Sequence, residues 1–113
     1  MSQTKGAAAE TLAAAYLVQR GLSIVVRNWR CRMGELDLIA NDAGTLVFVE
    51  VRSRAVGRFG DAAASITASK QAKLVAAAQQ YLATLSRTPP CRFDAVLLDG
   101  TAEPRWLKNI IEI

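Results

Sequence analysis

The sequence predicts an α/β domain in which a hairpin-rich sheet packs against helices. Three observations predict it. Residues 3–20 and about Ser65–Ser86 carry helical periodicity. Short segments rich in β-branched and aromatic residues lie between and after them, each bounded by turn formers. The resulting order is α-β-β-β-α-β-β, and no linker, repeat or low-complexity tract divides it, so residues 1–113 read as one domain.

Each element has its own signature. The first helix is alanine-rich, with Leu12, Tyr16 and Leu17 as its apolar anchors, and Gly21 supplies a stop. "LSIVVRNWR", residues 22–30, follows as a strand. "GELDLIA" and "TLVFVEVRS" are the next two strands, joined through Asn41-Asp42-Ala43-Gly44, a run of turn residues. "RAVGRFGDAAAS", with Gly57 and Gly60, reads as a loop. In the second helix Ile66, Lys70, Leu74, Ala77, Tyr81 and Leu85 fall along one stripe, and "TPP" ends it. "CRFDAVLLD" is a further strand, Asp99-Gly100 a turn, and "RWLKNIIEI" a last strand or extended tail.

Composition narrows the chemistry. The chain has no histidine, which excludes Ser-His-Asp and Cys-His catalysis and HExxH zinc sites. No Gly-rich phosphate loop is present. Cys31 and Cys91 stand far apart without CxxC spacing, so they read as buried or half-buried free thiols. No apolar run is long enough to span a bilayer, and "MSQTKGAAAE" lacks a signal-peptide core, so a cytoplasmic protein with no membrane association is expected. Any catalysis must fall to carboxylates, Lys or Arg, hydroxyls, or a metal held through oxygen. Ser53 and Thr67 are weak nucleophile candidates without a base beside them.

The net charge of +4 is unevenly placed. Seven of the arginines, from Arg20 to Arg58, crowd one stretch that also holds four acids. Arginine binds phosphate bidentately, so this half suits nucleic acid; it equally suits a soluble basic surface.

The same stretch threads charge through its most strand-like segment, "GELDLIANDAGTLVFVEVRSR". Alternation puts Glu35 and Asp37 on one face, with Leu36, Leu38 and Ala40 on the other. Glu50 and Arg52 share a face with Leu46 and Phe48, while Val47, Val49 and Val51 take the opposite one. Pairing Ala40 with Thr45 sets Asp37 opposite Phe48, with Glu50 its diagonal neighbour at roughly 7–8 Å. A two-residue slip brings the carboxylates directly opposite. Two acids on an apolar hairpin repel and desolvate one another, and a divalent cation removes both costs. Arg52 would stabilise phosphate charge there, as metal-assisted phosphodiester hydrolysis requires. The competing reading is a wet face with Glu35–Arg52 and Glu50–Arg52 surface pairs. Leu46 and Phe48 beside Glu50 weigh against it.

Asp37 followed by "EVR" at Glu50–Arg52 resembles the D…(D/E)xK signature of the PD-(D/E)XK nucleases. More closely, "GAAAETLAAAYLVQRGLSIVVRNWR", "GELDLIA", "LVFVEVRSR", "FGDAAASITASKQAKL" and "CRFDAVLL" in order resemble the YraN family, small bacterial proteins related to archaeal Holliday-junction resolvases. The resemblance implies a restriction-endonuclease-like core, a mixed central sheet flanked by helices. It implies a Mg²⁺ or Mn²⁺ cofactor held by Asp37, Glu50, the Val51 carbonyl and Glu10. Glu10 has a plainer reading as a favourable acid early in a helix. Arg52 stands where the superfamily usually has lysine, and unlike lysine it cannot lose its proton. Lys70, on an apolar stripe, either points to phosphate or snorkels.

Three functions follow as expectations. The first is a Mg²⁺- or Mn²⁺-dependent endodeoxyribonuclease-like hydrolase acting on DNA, in branched or single-stranded forms. Asp37, Glu50 and Arg52 would be its catalytic residues, with Arg27, Arg30, Arg32, Arg54 and Lys70 on the nucleic acid. The second is a non-catalytic nucleic-acid-binding module of the same fold, and the third a protein-interaction domain. Trp29 and Trp106 read as core or interface residues rather than base-stacking ones. Resolvase-like relatives dimerise, so a homodimer partner is also implied.

Overall fold

Alanine gives the first helix its propensity, and the spacing of Glu10, Ala13, Ala14 and Leu17 gives it a face. Helix α1 (Gln3–Gln19) buries that stripe, with Ala13 and Leu17 fully enclosed. Leu12, expected as an anchor, instead faces outward, because it lies off the i, i+3, i+4, i+7 line. The helix ends on Gly21 at φ 99°, where Leu22 N–H donates to Leu17 O at 3.1 Å and Gly21 N–H to Val18 O at 3.0 Å. Leu22 and Leu17 then pack in the same cluster.

This structure is a computed structural model that describes residues 3–54, 66–99 and 103–111. Of the expected loop at 54–65, Arg54 instead ends a strand and 55–65 lie outside them, as do Gly100 of the expected turn and the side chains of Arg54 and Asp99. The strands are β1 (Ser23–Cys31), β2 (Gly34–Asp42), β3 (Thr45–Arg54), β4 (Cys91–Asp99) and β5 (Arg105–Leu107). Helix α2 (Ala68–Leu82) lies between β3 and β4, shorter than the predicted second helix. The sheet runs β1-β2-β3-β4-β5. All neighbours are antiparallel except β3 and β4, which are parallel with α2 as their crossover. The expected α/β architecture, a mixed central sheet flanked by helices, is what forms.

The two helices cover opposite faces. Against α1 lie Leu38, Ala40, Val47, Val49, Val96 and Leu98. Against α2 lie Leu36, Ile39, Leu46, Phe48 and Phe93, around Leu74, Ala77 and Tyr81 of the helix. Strand β3 is therefore buried on both sides, which is why it reads as an almost unbroken apolar run. Trp29 meets Tyr81 edge-on at 5.3 Å between ring centroids, a packing role rather than a base platform. Thr67 caps α2, its side chain accepting from Lys70 N–H at 3.2 Å.

The β2–β3 hairpin corrects the expected register. Asp42 pairs with Thr45, and Leu38 with Val49, so only Ala43 and Gly44 form the turn. Both have positive φ, 53° and 97°, the two-residue turn whose twist matches a hairpin. Asn41, expected in the turn, extends β2 and accepts from Gly44 N–H at 2.8 Å. An alanine in the left-handed region hid the turn from sequence. The register realised is the slipped one, and one step further along it sets Asp37 opposite Glu50.

Asp94 is fully buried and ties the far edge together. It accepts from Arg92 Nε at 3.0 and 3.1 Å, from Trp106 Nε1 at 2.9 Å and from Asn109 N–H at 2.9 Å. Arg92 also reaches Asp42 at 2.9 Å. Cys91, expected at least half-buried, is exposed at the start of β4, and Cys31 is half-buried; both are free. Replacing Asp94 with Ala leaves Arg92 with Asp42 alone and strands the Trp106 and Asn109 N–H donors. The expected cost is about 3–5 kcal/mol in denaturant unfolding, a large share of a small domain's stability.

Candidate functional site

The β1–β2 ladder passes over one pair of residues. Arg27 pairs with Leu38 and Trp29 with Leu36, but Asn28 and Asp37 between them do not pair. Asn28 sits at φ 55°, a conformation asparagine tolerates better than most residues. The interruption breaks the alternation expected in β2: Leu36 packs under α2 while Leu38 packs under α1. The β2–β3 ladder ends at the same place, at Leu38–Val49. Asp37 fills the gap with its side chain, its Oδ2 accepting from Val51 N–H at 2.9 Å.

Around that carboxylate the fold assembles three more. Glu10 arrives from α1, 7% exposed. Glu35 arrives from β2, and one ligand atom from each of Glu10, Glu35 and Asp37 lies within 4.8 Å of the others. Glu50 arrives from β3, 3% exposed and near enough to Asp37 for that charge to act on it. Glu50 is thus not on a wet face. Its Oε2 lies 2.9 Å from Arg52 Nε and 3.6 Å from Lys70 Nζ. The Arg52 N–H is not aimed along that line and makes no hydrogen bond. Lys70 therefore points into the site from the first turn of α2.

Two buried carboxylate oxygens have no hydrogen-bond partner, Glu10 Oε1 and Glu50 Oε1. Burial raises the Glu50 carboxyl to about 7, and the Asp37 charge adds to it. Asp37 is raised by burial and then by Glu35, against the pull of the Val51 N–H. Glu10 is raised by burial and then by Asp37; the Asn28 amide bonded to it works the other way.

The remaining predicted residues separate. Arg27 is exposed and donates from Nη2 to Thr11 Oγ1 at 2.9 Å, beside Glu10. Arg30 lies 3.9 Å from Glu35 across the β1–β2 pair, while Arg52 pairs with Glu50, not with Glu35 as the wet-face reading had it. Arg32 is exposed after the end of β1. Sequence reasoning missed Asn28 and did not place Glu35 in the cluster. A lone asparagine inside a strand pattern was the available signal for the first.

The family comparison bears on the whole chain. The family described as "Uncharacterised protein family UPF0102" matches residues 9–98. The chain belongs to the UPF0102 family. Family members similar to it include a UPF0102 protein of Cupriavidus taiwanensis, 58% identical over 111 residues, covering 97% of this chain and 84% of that one. Another, from Nitrosomonas eutropha, is 49% identical over 111 residues, covering 98% and 96%. A third, from Nitrosospira multiformis, is 52% identical over 111 residues, covering 96% and 93%. The matched span holds Glu10, Asn28, Glu35, Asp37, Glu50, Arg52 and Lys70. Among the described residues no helix is long and apolar enough to cross a membrane.

The raised carboxyls make stability depend on pH. Glu50 binds its proton up to about pH 7 when folded but only to about 4.5 when unfolded. The folded state therefore holds more protons across that window, and stability falls as pH rises through it. Thermal unfolding in chelator should show a lower Tm at pH 8 than at pH 5.5, a loss on the order of 2 kcal/mol. Glu50→Gln should flatten the slope; a Tm that rises across the window contradicts the assignment.

Proposed function

We propose that this chain is a Mg²⁺- or Mn²⁺-dependent endonuclease of the PD-(D/E)XK type that hydrolyses phosphodiester bonds in DNA. The observation that carries the reading is the convergence of Glu10, Asp37 and Glu50 from three elements, with buried oxygens of Glu10 and Glu50 left unpartnered. A fold pays heavily to bury unpaired carboxylates unless something positive completes them.

The donor set suits a hard divalent cation, since every contributor is oxygen. Glu10, Asp37 and Glu50, with the Val51 carbonyl, are the residues that would hold it. Once bound, such an ion polarises a phosphoryl oxygen and lowers the pKa of water. The protein's own groups do the rest. The Val51 N–H fixes the Asp37 carboxylate in the strand gap. Arg52 and Lys70 stand on the Glu50 side as cationic donors for phosphate oxygens. Arg52 stays charged throughout, so it neutralises and orients rather than accepting a proton. Arg27 and Arg30 border the acids and, with Arg32, offer phosphate contacts along the edge strand β1. A branched substrate would be met by a homodimer with paired sites.

One observation favours a second reading, a non-catalytic nucleic-acid-binding module. Arg52 and Lys70 already crowd the Glu50 carboxylate, and arginine replaces the lysine of the nuclease signature.

Cleavage of labelled branched, single-stranded and duplex DNA in Mg²⁺ or Mn²⁺ separates the two. The nuclease reading expects cleavage that falls about 100-fold or more in Asp37→Asn and Glu50→Gln, with folding retained. Salt-sensitive DNA binding that survives both changes, without cleavage by wild type, establishes the binding module instead.

A further inference from the structure

Strands β1 and β2 lose their alternation at the same rung. On β1, Val26 packs in the α2 cluster and Arg27 reaches α1, donating to Thr11 Oγ1 at 2.9 Å, yet Trp29 is again in the α2 cluster. On β2, Leu36 packs in the α2 cluster and Leu38 in the α1 cluster. Strict alternation would put residues two apart on one face. The register is nevertheless the same on both sides of the break, with Arg27 against Leu38 and Trp29 against Leu36. Asn28 and Asp37 are therefore the matched residues of the skipped rung, one out of alternation on each strand.

Asn28 takes its place there with φ 55°. It is exposed, so no packing demands its side chain. Glycine would serve a positive φ at less steric cost. What asparagine adds is an amide, and that amide bonds to Glu10. Arg27 and Asn28 are consecutive, yet their side chains meet consecutive residues of α1, Thr11 and Glu10. An unbroken strand would send one of them to each face. The left-handed backbone at Asn28 is what aims both at the helix. Thr11 Oγ1 in turn donates to Ala7 O at 2.9 Å, so β1 is tied to the turn of α1 that carries Glu10.

We infer that Asn28 is the positioning residue of the site: its backbone opens the rung that Asp37 occupies, and its amide orients the Glu10 carboxylate toward Asp37. The consequence for cation binding rests on the reading proposed above; the placing of Glu10 does not. Glu10 is 7% exposed and its Oε1 has no hydrogen-bond partner, so the Asn28 amide takes the other oxygen and leaves Oε1 open. A carboxylate held by one oxygen is presented in one orientation. Removing such a support lowers metal affinity by about 10–100-fold.

Asn28→Gly tests this, since glycine keeps the positive φ and deletes only the amide. Three readouts are taken on the full chain: Mn²⁺ affinity by calorimetry, the thermal melt, and crystals grown without metal. Asn28→Gly should weaken Mn²⁺ binding about 10-fold or more at an unchanged Tm. Added to Glu10→Gln, it should cost nothing further, because it acts through Glu10. In metal-free crystals its Glu10 carboxylate should turn away from Asp37. Asn28→Ala, which also resists a positive φ, should lose as much affinity and lower the Tm. Wild-type affinity in Asn28→Gly, or an equal loss with and without Glu10, overturns the inference. Wild type that binds no Mn²⁺ removes the cation reading alone, and the metal-free crystals then decide. A Glu10 carboxylate unmoved beside Asp37 in Asn28→Gly overturns the positioning role; a displaced one sustains it.

Discussion

The hydrogen bond from Val51 N–H to Asp37 Oδ2 is the contact on which the site depends. It sits where two ladders stop at once: β1 skips Asn28 against β2, and β2 pairs no further than Leu38 with β3. A sheet that simply ended there would leave the Val51 N–H without a partner. The aspartate side chain takes the place of a strand carbonyl and so becomes part of the sheet. Its position is then as rigid as the backbone. Glu10, from one face, and Glu50, from the other, can both be placed against it only because it lies in the gap between the faces.

The cost of that arrangement is visible in the carboxyls. Burial and mutual repulsion raise Glu10, Asp37 and Glu50 together, and two of their oxygens find no donor. Asp94 shows what a buried acid looks like when the fold itself satisfies it. It is equally enclosed, yet Arg92, Trp106 and Asn109 meet its oxygens. One acid is met by donors on every side; the others are left with buried oxygens that no donor meets. Unsatisfied burial concentrated at one place is what makes Asp37 and its neighbours the candidate site.

The elements were legible in sequence because their causes are local. Alanine content, Gly21 and the apolar stripe specify α1, and the β-branched run specifies β3. The face of Glu10 was legible from its spacing to Ala13, Ala14 and Leu17. The register of the β2–β3 hairpin was not, because it turns on Ala43 adopting a positive φ that alanine does not advertise. Glu35 was legible as a face-mate of Asp37, but its meeting with Glu10, which comes from α1, was not. The faces of Leu36 and Leu38 were hidden as well, since alternation fails between them where Asn28 interrupts the neighbouring strand. Lys70 was ambiguous until α2 was placed, and Asp94 finds its partners from Arg92 to Asn109, on β4, on β5 and beyond it. Those facts live in tertiary packing.

Crystals soaked in Mn²⁺ and measured for anomalous scattering test the central claim most directly. The account predicts density between Asp37 and Glu50, at about 2.0–2.6 Å from carboxylate oxygens. Ordered carboxylates with no peak between them at saturating Mn²⁺, or peaks confined to surface acids elsewhere, would contradict it.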